Sequence, residues 1–376
     1  MADETVEILS ARKKQILFCA IDNYIKIASP ITSLLVQKTE MSDLSTATIR
    51  NELNALEAMG YLKQLHTSSG RVPTTKGYRF FVDEIVKNTN CTITQLETVK
   101  QDMFSRTNNL AEIVKSIADT VTKETNYPAV VVLNGMENLL VQSVNVMHLI
   151  SGQLLILIDT NAGVITNTIS ANTNITRQDC ENASKIFCDI FKGHNLGYLM
   201  QNIDAFNEKI QEAMKSYEEI FKLVLFVLNN YANKNSSDVT SGGLIKLLES
   251  PEYNDVEKAK GILSILDDKQ QLNNIFDVKE DDGVVVKIGD ENKIAELKDC
   301  AIIQTPLVID GNKIATVGVI GPERLDYASV ASVLKYVADK LKTFNIDNKD
   351  KEGKTWCQKT MKKWLTKKLK KQKLKR

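Results

Sequence analysis

Residues 44–79 read LSTATIRNELNALEAMGYLKQLHTSSGRVPTTKGYR, and this stretch decides the fold of the amino-terminal part. Ser45 is a good helix N-cap, because its hydroxyl oxygen can accept a first-turn N–H that has no partner inside the helix. Ile49, Leu53, Leu56 and Met59 follow at spacings of four, three and three, which places them on one helical face. Gly60 ends that helix. Tyr61 to Leu65 has the pattern of a strand, His66 to Gly70 that of a turn, and Arg71-Val72-Pro73 leads back as a second short strand. Upstream, Ile16, Leu17, Ala20, Ile21, Tyr24 and Ile27 predict a first helix over 10–27, stopped by Ser29-Pro30. A second short helix follows with Ile31, Leu34 and Leu35 inward, and Met41 to Leu44 is a turn.

Three helices and a two-stranded hairpin make a winged helix-turn-helix, whose third helix enters the major groove while the wing reaches the backbone or the minor groove. The outer face of the third helix carries Thr46, Thr48, Arg50, Asn51 and Asn54. Arginine can pair with guanine and asparagine with adenine through two hydrogen bonds each. On the wing, Gly70 permits a tight turn and Arg71 supplies a charge for a narrow groove. Ser45, His66 and Ser68 complete the expected DNA-binding set. The alternative is a polar helix face that packs only against protein.

Working outward, the chain has 376 residues, enough for two or three domains, with 43% hydrophobic and 25% charged residues. That balance excludes a disordered chain. The apolar runs are strand-sized, so no membrane span is expected, and Met1 to Glu7 lacks the apolar segment of a signal peptide. Six cysteines without a CxxC make neither a disulfide framework nor a zinc site; they read as buried or idle thiols of a cytoplasmic protein. The net charge of +1 hides an uneven distribution. Residues 354–376 hold eleven Lys or Arg and no acid, which leaves a net charge of −10 on the rest. Residues 1–90 are close to neutral, which suits a reader of a defined site better than an indiscriminate binder.

Pro128 to Leu133, Val141 to Ile150, Gln153 to Asp159 and Gly163 to Ile169 are strand-like runs. Residues 300–308 and 312–320 form another pair, joined at the hairpin turn Asp310-Gly311. A helix over 327–341 places Val330, Val333, Leu334, Val337 and Leu341 inward. Ile220, Leu223, Val224, Phe226, Val227 and Leu228 are apolar nearly all round, so that helix is buried in a core or a subunit interface, and the interface is preferred. His148 and His194 stand alone and read as structural residues. Asp267-Asp268 and Asp281-Asp282 read as solvated loop charges. Gly318-Val319-Ile320-Gly321 lacks the Lys and Ser/Thr of a phosphate loop. No catalytic set has a motif context, so an enzyme is not expected, and neither is a cofactor or a metal.

Leu44 to Glu52, Leu56 to Leu62, His66 to Thr74 and Gly77-Tyr78-Arg79 together closely resemble the HrcA family of heat-inducible transcription repressors. Val286 to Asn292 and Gly318 to Tyr327 resemble late motifs of the same family. The resemblance covers roughly residues 9–342 and is weakest over 170–250. It implies an α+β multidomain chain: an N-terminal winged helix-turn-helix, a GAF-like α/β domain, and a dimerising domain inserted within it. The expected division is 1–75 for the winged helix, 76–125 for a helical connection, 126–172 with 250–345 for the GAF-like domain, 173–249 for the insert and 346–376 for a basic tail. It further implies a homodimer that binds the double-stranded, inverted-repeat CIRCE operator of chaperone operons, is kept active by a chaperonin and is released on heat stress. The expected location is cytoplasmic, on the nucleoid. A ligand-sensing repressor with a small molecule in the GAF-like domain is the alternative. The tail departs from the family: Cys357, Met361, Trp364, Leu365 and Leu369 make an apolar stripe on a basic helix. It reads as a solvated extension, added DNA affinity, or a contact with an anionic membrane or an acidic partner.

Overall fold

A computed structural model describes residues 9–65, 70–88, 109–170, 175–203, 206, 218–232 and 239–348. The amino-terminal elements are α1 (Ala11–Ile27), α2 (Ser33–Thr39), α3 (Thr46–Ala58), β1 (Leu62–Gln64), β2 (Arg71–Pro73) and α4 (Thr75–Asn88). Ile16, Leu17, Ile21, Ile49, Leu53 and Leu56 are fully buried between the helices, as their spacing predicts. Two expected core residues point outward: Ile27 is 47% and Leu34 is 51% exposed. Ala28 turns left-handed (φ 56) and ends α1 beside Ile27, while Tyr24 and Ile25 of the same turn stay packed against the core. In α2 the inward position belongs to Val36. Ile31 is buried, but in a bridge to Arg71 rather than in a helix.

The central element is a five-stranded antiparallel sheet of β3 (Ala129–Val132), β7 (Val239–Gly242), β8 (Val285–Ile288), β9 (Cys300–Ile309) and β10 (Asn312–Pro322), in the order β7-β3-β10-β9-β8. Asp310 and Gly311 both have positive φ (50° and 79°), the requirement of the tight β9–β10 hairpin. The strand residues divide by parity. Ala129, Val131, Ala301, Ile303, Val317 and Val319 face one core, while Val130, Val132, Cys300, Ile302 and Ile320 face another. Helices α5 (Leu110–Thr125) and α11 (Tyr327–Asn348) cover the first face. Helices α9 (Val256–Asp267) and α10 (Lys269–Ile275) cover the second. A sheet covered on both sides needs continuous apolar strands, which β9 and β10 supply. The expected helical connection 76–125 therefore contains a structural layer, because α5 buries Ile113, Val114, Ile117 and Val121. Asp268, expected as a loop charge, caps α10 through the amides of Gln270 and Gln271, which holds its carboxyl below the usual range.

The remaining strands, β4 (Val141–His148), β5 (Gln153–Thr160) and β6 (Gly163–Ser170), form a second, three-stranded sheet in that order. The expected division places them in one domain with the β9–β10 strands; their hydrogen bonds form a sheet of their own. The sheet packs with α6 (Arg177–Phe191), α7 (Leu196–Gln201) and α8 (Glu218–Ala232). Helix α6 closes the free edge of β4. Ser184 Oγ accepts from Val146 N at 2.8 Å and Cys188 Sγ accepts from Val144 N at 3.3 Å. Helix residues four apart and strand residues two apart are spaced alike, about 6–7 Å, so the two rows match. Cys188 is thus a working edge cap, not an idle thiol. In α8, Ile220, Phe221, Val224, Val227 and Leu228 are buried within this chain and Phe226 is 57% exposed. Most of the face expected at a subunit interface is intramolecular core. His194 stacks on Tyr198 at 4.9 Å.

Asp159 on β5 is half-buried opposite Ser143 and Val164, and no hydrogen bond or ion pair among the described residues reaches its carboxylate. Burial alone raises its pKa from 3.8 to about 6. The folded state therefore holds this proton more tightly than the unfolded chain does. Its contribution to stability is greatest below pH 3.8, declines as pH rises towards 6, and stays low above that. Asp159→Asn is expected to raise thermal stability near neutral pH by about 1 kcal/mol after solvent screening, and to change little in acid. Melting curves across that pH range check it; an equal shift at both ends would exclude ionisation as the cause.

Candidate nucleic-acid interface

Helix α3 is fixed at both ends by its own sequence. Ser45 Oγ accepts from Thr48 N at 3.1 Å and lies 2.9 Å from the Thr48 hydroxyl. At the other end Gly60 N donates to Glu57 O at 2.9 Å and Tyr61 N to Leu56 O at 3.0 Å, the paired bonds of a Schellman cap, with Gly60 at φ 79. With Ile49, Leu53 and Leu56 inward, Ser45, Arg50, Asn51 and Asn54 are left exposed, and Thr46 and Thr48 are partly so. Thr48 is thereby joined to the helix cap. Among the described residues, nothing bonds to the side chains of Arg50 and Asn51, which stand next to each other on the outer face.

The hairpin is tied down on two sides. Ile31 N donates to Arg71 O at 2.8 Å and Arg71 N to Ile31 O at 2.9 Å, so β2 pairs with the segment before α2 as well as with β1. Gly70, expected to permit a tight turn, does not have a positive φ, and the turn before it lies outside the described residues. A Cβ there would lie 2.6 Å from Ile31 O and 2.7 Å from Pro30 C and O, so glycine is required by the approach of another backbone. The Arg71 guanidinium does not extend into solvent as expected. Its side chain is 13% exposed; Nε donates to Glu57 at 2.9 Å and a terminal nitrogen donates to Asn54 Oδ1. Asn54 Oδ1 thus already accepts from Arg71, and a two-bond pairing of Asn54 with adenine would use the second lone pair of that oxygen. His66 and Ser68, expected at the wing tip, lie outside the described residues, as does the basic tail.

Sequence reasoning missed Glu57 and the Pro30-Ile31 backbone. Glu57 is 14 positions from Arg71, and no periodicity links a helix residue to a strand residue at that distance. It also missed the strap at the end of α3. Lys76 Nζ donates to Met59 O at 2.8 Å and lies 4.5 Å from the Tyr61 ring centroid, satisfying a carbonyl the helix leaves open. The result is a strip made of a capped helix with an exposed cation and amide, beside a hairpin pinned to it. Such a surface can present fixed donors and acceptors to base edges in a groove. Among the described residues, no group of three or more His, Cys, Asp or Glu could hold a metal ion, and no helix is long and apolar enough to cross a membrane.

The family profile of the HrcA protein C-terminal domain matches residues 111–331, more than half of the chain. The heat-inducible transcription repressor HrcA of Acetivibrio thermocellus is 34% identical over 352 residues, covering 92% of this chain and 99% of the relative. That of Brevibacillus brevis is 33% identical over 336 residues, covering 89% and 97%. A solved crystal structure, described only as a hypothetical protein, superposes with a TM-score of 0.68 at 21% identity over 90% of this chain and 99% of its own; this likeness concerns the fold alone.

Proposed function

The chain belongs to the HrcA family and is a heat-inducible transcription repressor, and from that premise we propose that it represses by reading an inverted-repeat, CIRCE-type operator as a homodimer. In this reading residues 1–75 are a winged helix-turn-helix. The β7-β3-β10-β9-β8 sheet with its helices is the GAF-like domain, and the dimerising insert runs from after β3 to before β7, beginning earlier than 173 and ending before 249. The observation that carries it is the strip of Arg50 and Asn51 on a helix capped at both ends, beside a hairpin pinned by Gly70 and Arg71. Ser45, Thr46, Thr48, Asn54, His66 and Ser68 complete the DNA-facing set. A two-fold symmetric dimer presents two such strips to the two halves of a symmetric site. Phe226, 57% exposed on α8, is offered to the second copy. Chaperone operons as the target, a chaperonin as the activating partner and a cytoplasmic, nucleoid-bound location belong to the same proposal.

A gel shift with a symmetric operator and its scrambled copy tests it, with analytical ultracentrifugation of the complex. Preference for the symmetric duplex and two chains per duplex are expected. Equal affinity for both duplexes would remove the operator reading.

A further inference from the structure

A protein that reads base edges still makes half to two-thirds of its hydrogen bonds to phosphates and sugars. Neutralised phosphates supply essentially all of the affinity that does not depend on sequence. The amino-terminal unit has few charges left for that task. Residues 1–90 hold eleven Lys or Arg against ten Asp or Glu. Most of the described cations are already engaged within the protein. Lys13 pairs with Glu52 at 3.0 Å, Lys14 with Glu84 at 2.7 Å and Lys26 with Asp22 at 2.6 Å. Arg71 is held by Glu57 and Asn54. Arg79, on α4, donates through Nε to Glu291 at 2.7 Å and through a terminal nitrogen to Val286 O at 2.8 Å. Lys76 closes the end of α3 on Met59 O. Among the described residues of this unit, Arg12, Lys38, Arg50 and Lys63 make no ion pair, and Arg50 is assigned to bases.

The rest of the chain opposes the approach to DNA. Residues 1–353 carry a net charge of −10, and a duplex presents one negative charge per about 1.7 Å of its axis. Two bodies of like sign repel over the distance at which encounter is steered. Only residues 354–376 reverse that sign, with eleven Lys or Arg and no acid. Their reach is sufficient. Helix α11 begins beside α4, where the Tyr78 and Tyr327 ring centroids are 6.0 Å apart. It runs 22 residues to Asn348, about 33 Å along its axis. The 28 residues from 349 to 376 can span up to about 95 Å of chain, well beyond that distance.

We infer that the basic tail, residues 354–376, is the main phosphate-binding surface of the repressor: it grips duplex DNA without regard to sequence while the α3 strip reads the bases. The inference rests on the operator reading above and adds where the phosphate affinity comes from. The two tasks are divided between two parts of the chain. A nearly neutral reading unit keeps base contacts decisive, and a tethered cationic segment raises the local concentration of that unit at the DNA. The same segment cancels the repulsion between the acidic body and the duplex.

The test compares the full chain with two variants, by fluorescence anisotropy on labelled operator and on its scrambled copy at several salt concentrations. Three phosphates per tail, six per dimer, contribute about 5 to the slope of log affinity against log salt. Deleting 354–376 is expected to flatten the slope by about that much and to weaken both duplexes by the same factor. Lys362→Gln, Lys363→Gln, Lys367→Gln, Lys368→Gln, Lys370→Gln and Lys371→Gln together keep the chain length and are expected to flatten it at least half as far. The protein also carries its own probe, because both of its tryptophans, Trp356 and Trp364, lie in the tail. Their emission is expected to change when scrambled duplex is added and to return in high salt. A slope unchanged in both variants, or affinity lost on the operator alone, overturns the inference. Emission that answers to vesicles of anionic phospholipid but not to duplex assigns the tail to a membrane surface and overturns it too. A wild-type chain that binds both duplexes equally removes the operator reading, while a flattened slope in the deletion still upholds the tail.

Discussion

Operator affinity of Arg50→Ala is expected to fall at least tenfold, with base preference relaxed at one position in each half-site. Arg50 is exposed on α3, between the buried Ile49 and Leu53. A guanidinium that donates two bonds to guanine discriminates by about 1–3 kcal/mol, and a dimer makes the pair twice. Since about 1.4 kcal/mol is tenfold, losing both pairs reaches that figure even at the low end. Titration against operators changed one base pair at a time checks it. Equal losses on operator and scrambled DNA would exclude base reading by this residue. Arg71→Ala should behave differently. Its side chain holds Glu57 and Asn54 within the protein, so its removal loosens the hairpin. The expected result is weaker binding on every duplex with no change in base preference, together with a lower melting temperature.

Gly70→Ala is expected to destabilise the amino-terminal unit by about 2–4 kcal/mol and to abolish tight operator binding. The new methyl would stand 2.6 Å from Ile31 O and 2.7 Å from Pro30 C and O. These are backbone atoms on a segment stiffened by proline, so no side chain can rotate away. The Ile31–Arg71 bridge, with bonds of 2.8 and 2.9 Å, is the contact that yields, and the hairpin then leaves α3. Gly152→Ala is the control, because its added Cβ meets nothing within 4 Å and only the φ of +78 is at stake. Urea unfolding of both variants decides. A Gly70→Ala chain no less stable than Gly152→Ala would show that the hairpin is not held by this approach.

Local elements were readable because each depends on neighbours close in sequence. The Ile49, Leu53, Leu56 stripe needs only the 3.6-residue period. The Ser45 cap, the Gly60 ending and the Asp310-Gly311 turn depend on side-chain chemistry acting over a few residues. The same periodicity placed Ile27 and Leu34 inward. It carries no information about where a helix runs out of partners, and both are about half exposed.

Strand identity was readable too, but strand partnership was not. Runs of β-branched and apolar residues mark 141–148 and 129–132 equally as strands, yet β3 pairs with β10 and β7 while β4 joins β5. An edge accepts whichever chain the rest of the fold delivers, and that choice is made by packing of both faces rather than by local pattern.

From sequence alone came the helix that offers Arg50 and Asn51, the hairpin beside it, and the family. Only the tertiary structure decided that Arg71 serves Glu57 and Asn54, that Gly70 answers to Pro30 and Ile31, and that Arg79 closes on Glu291. The first group follows from torsions and spacings within one segment. The second joins atoms from segments that meet only when the apolar cores close, and no single segment encodes the distance between them.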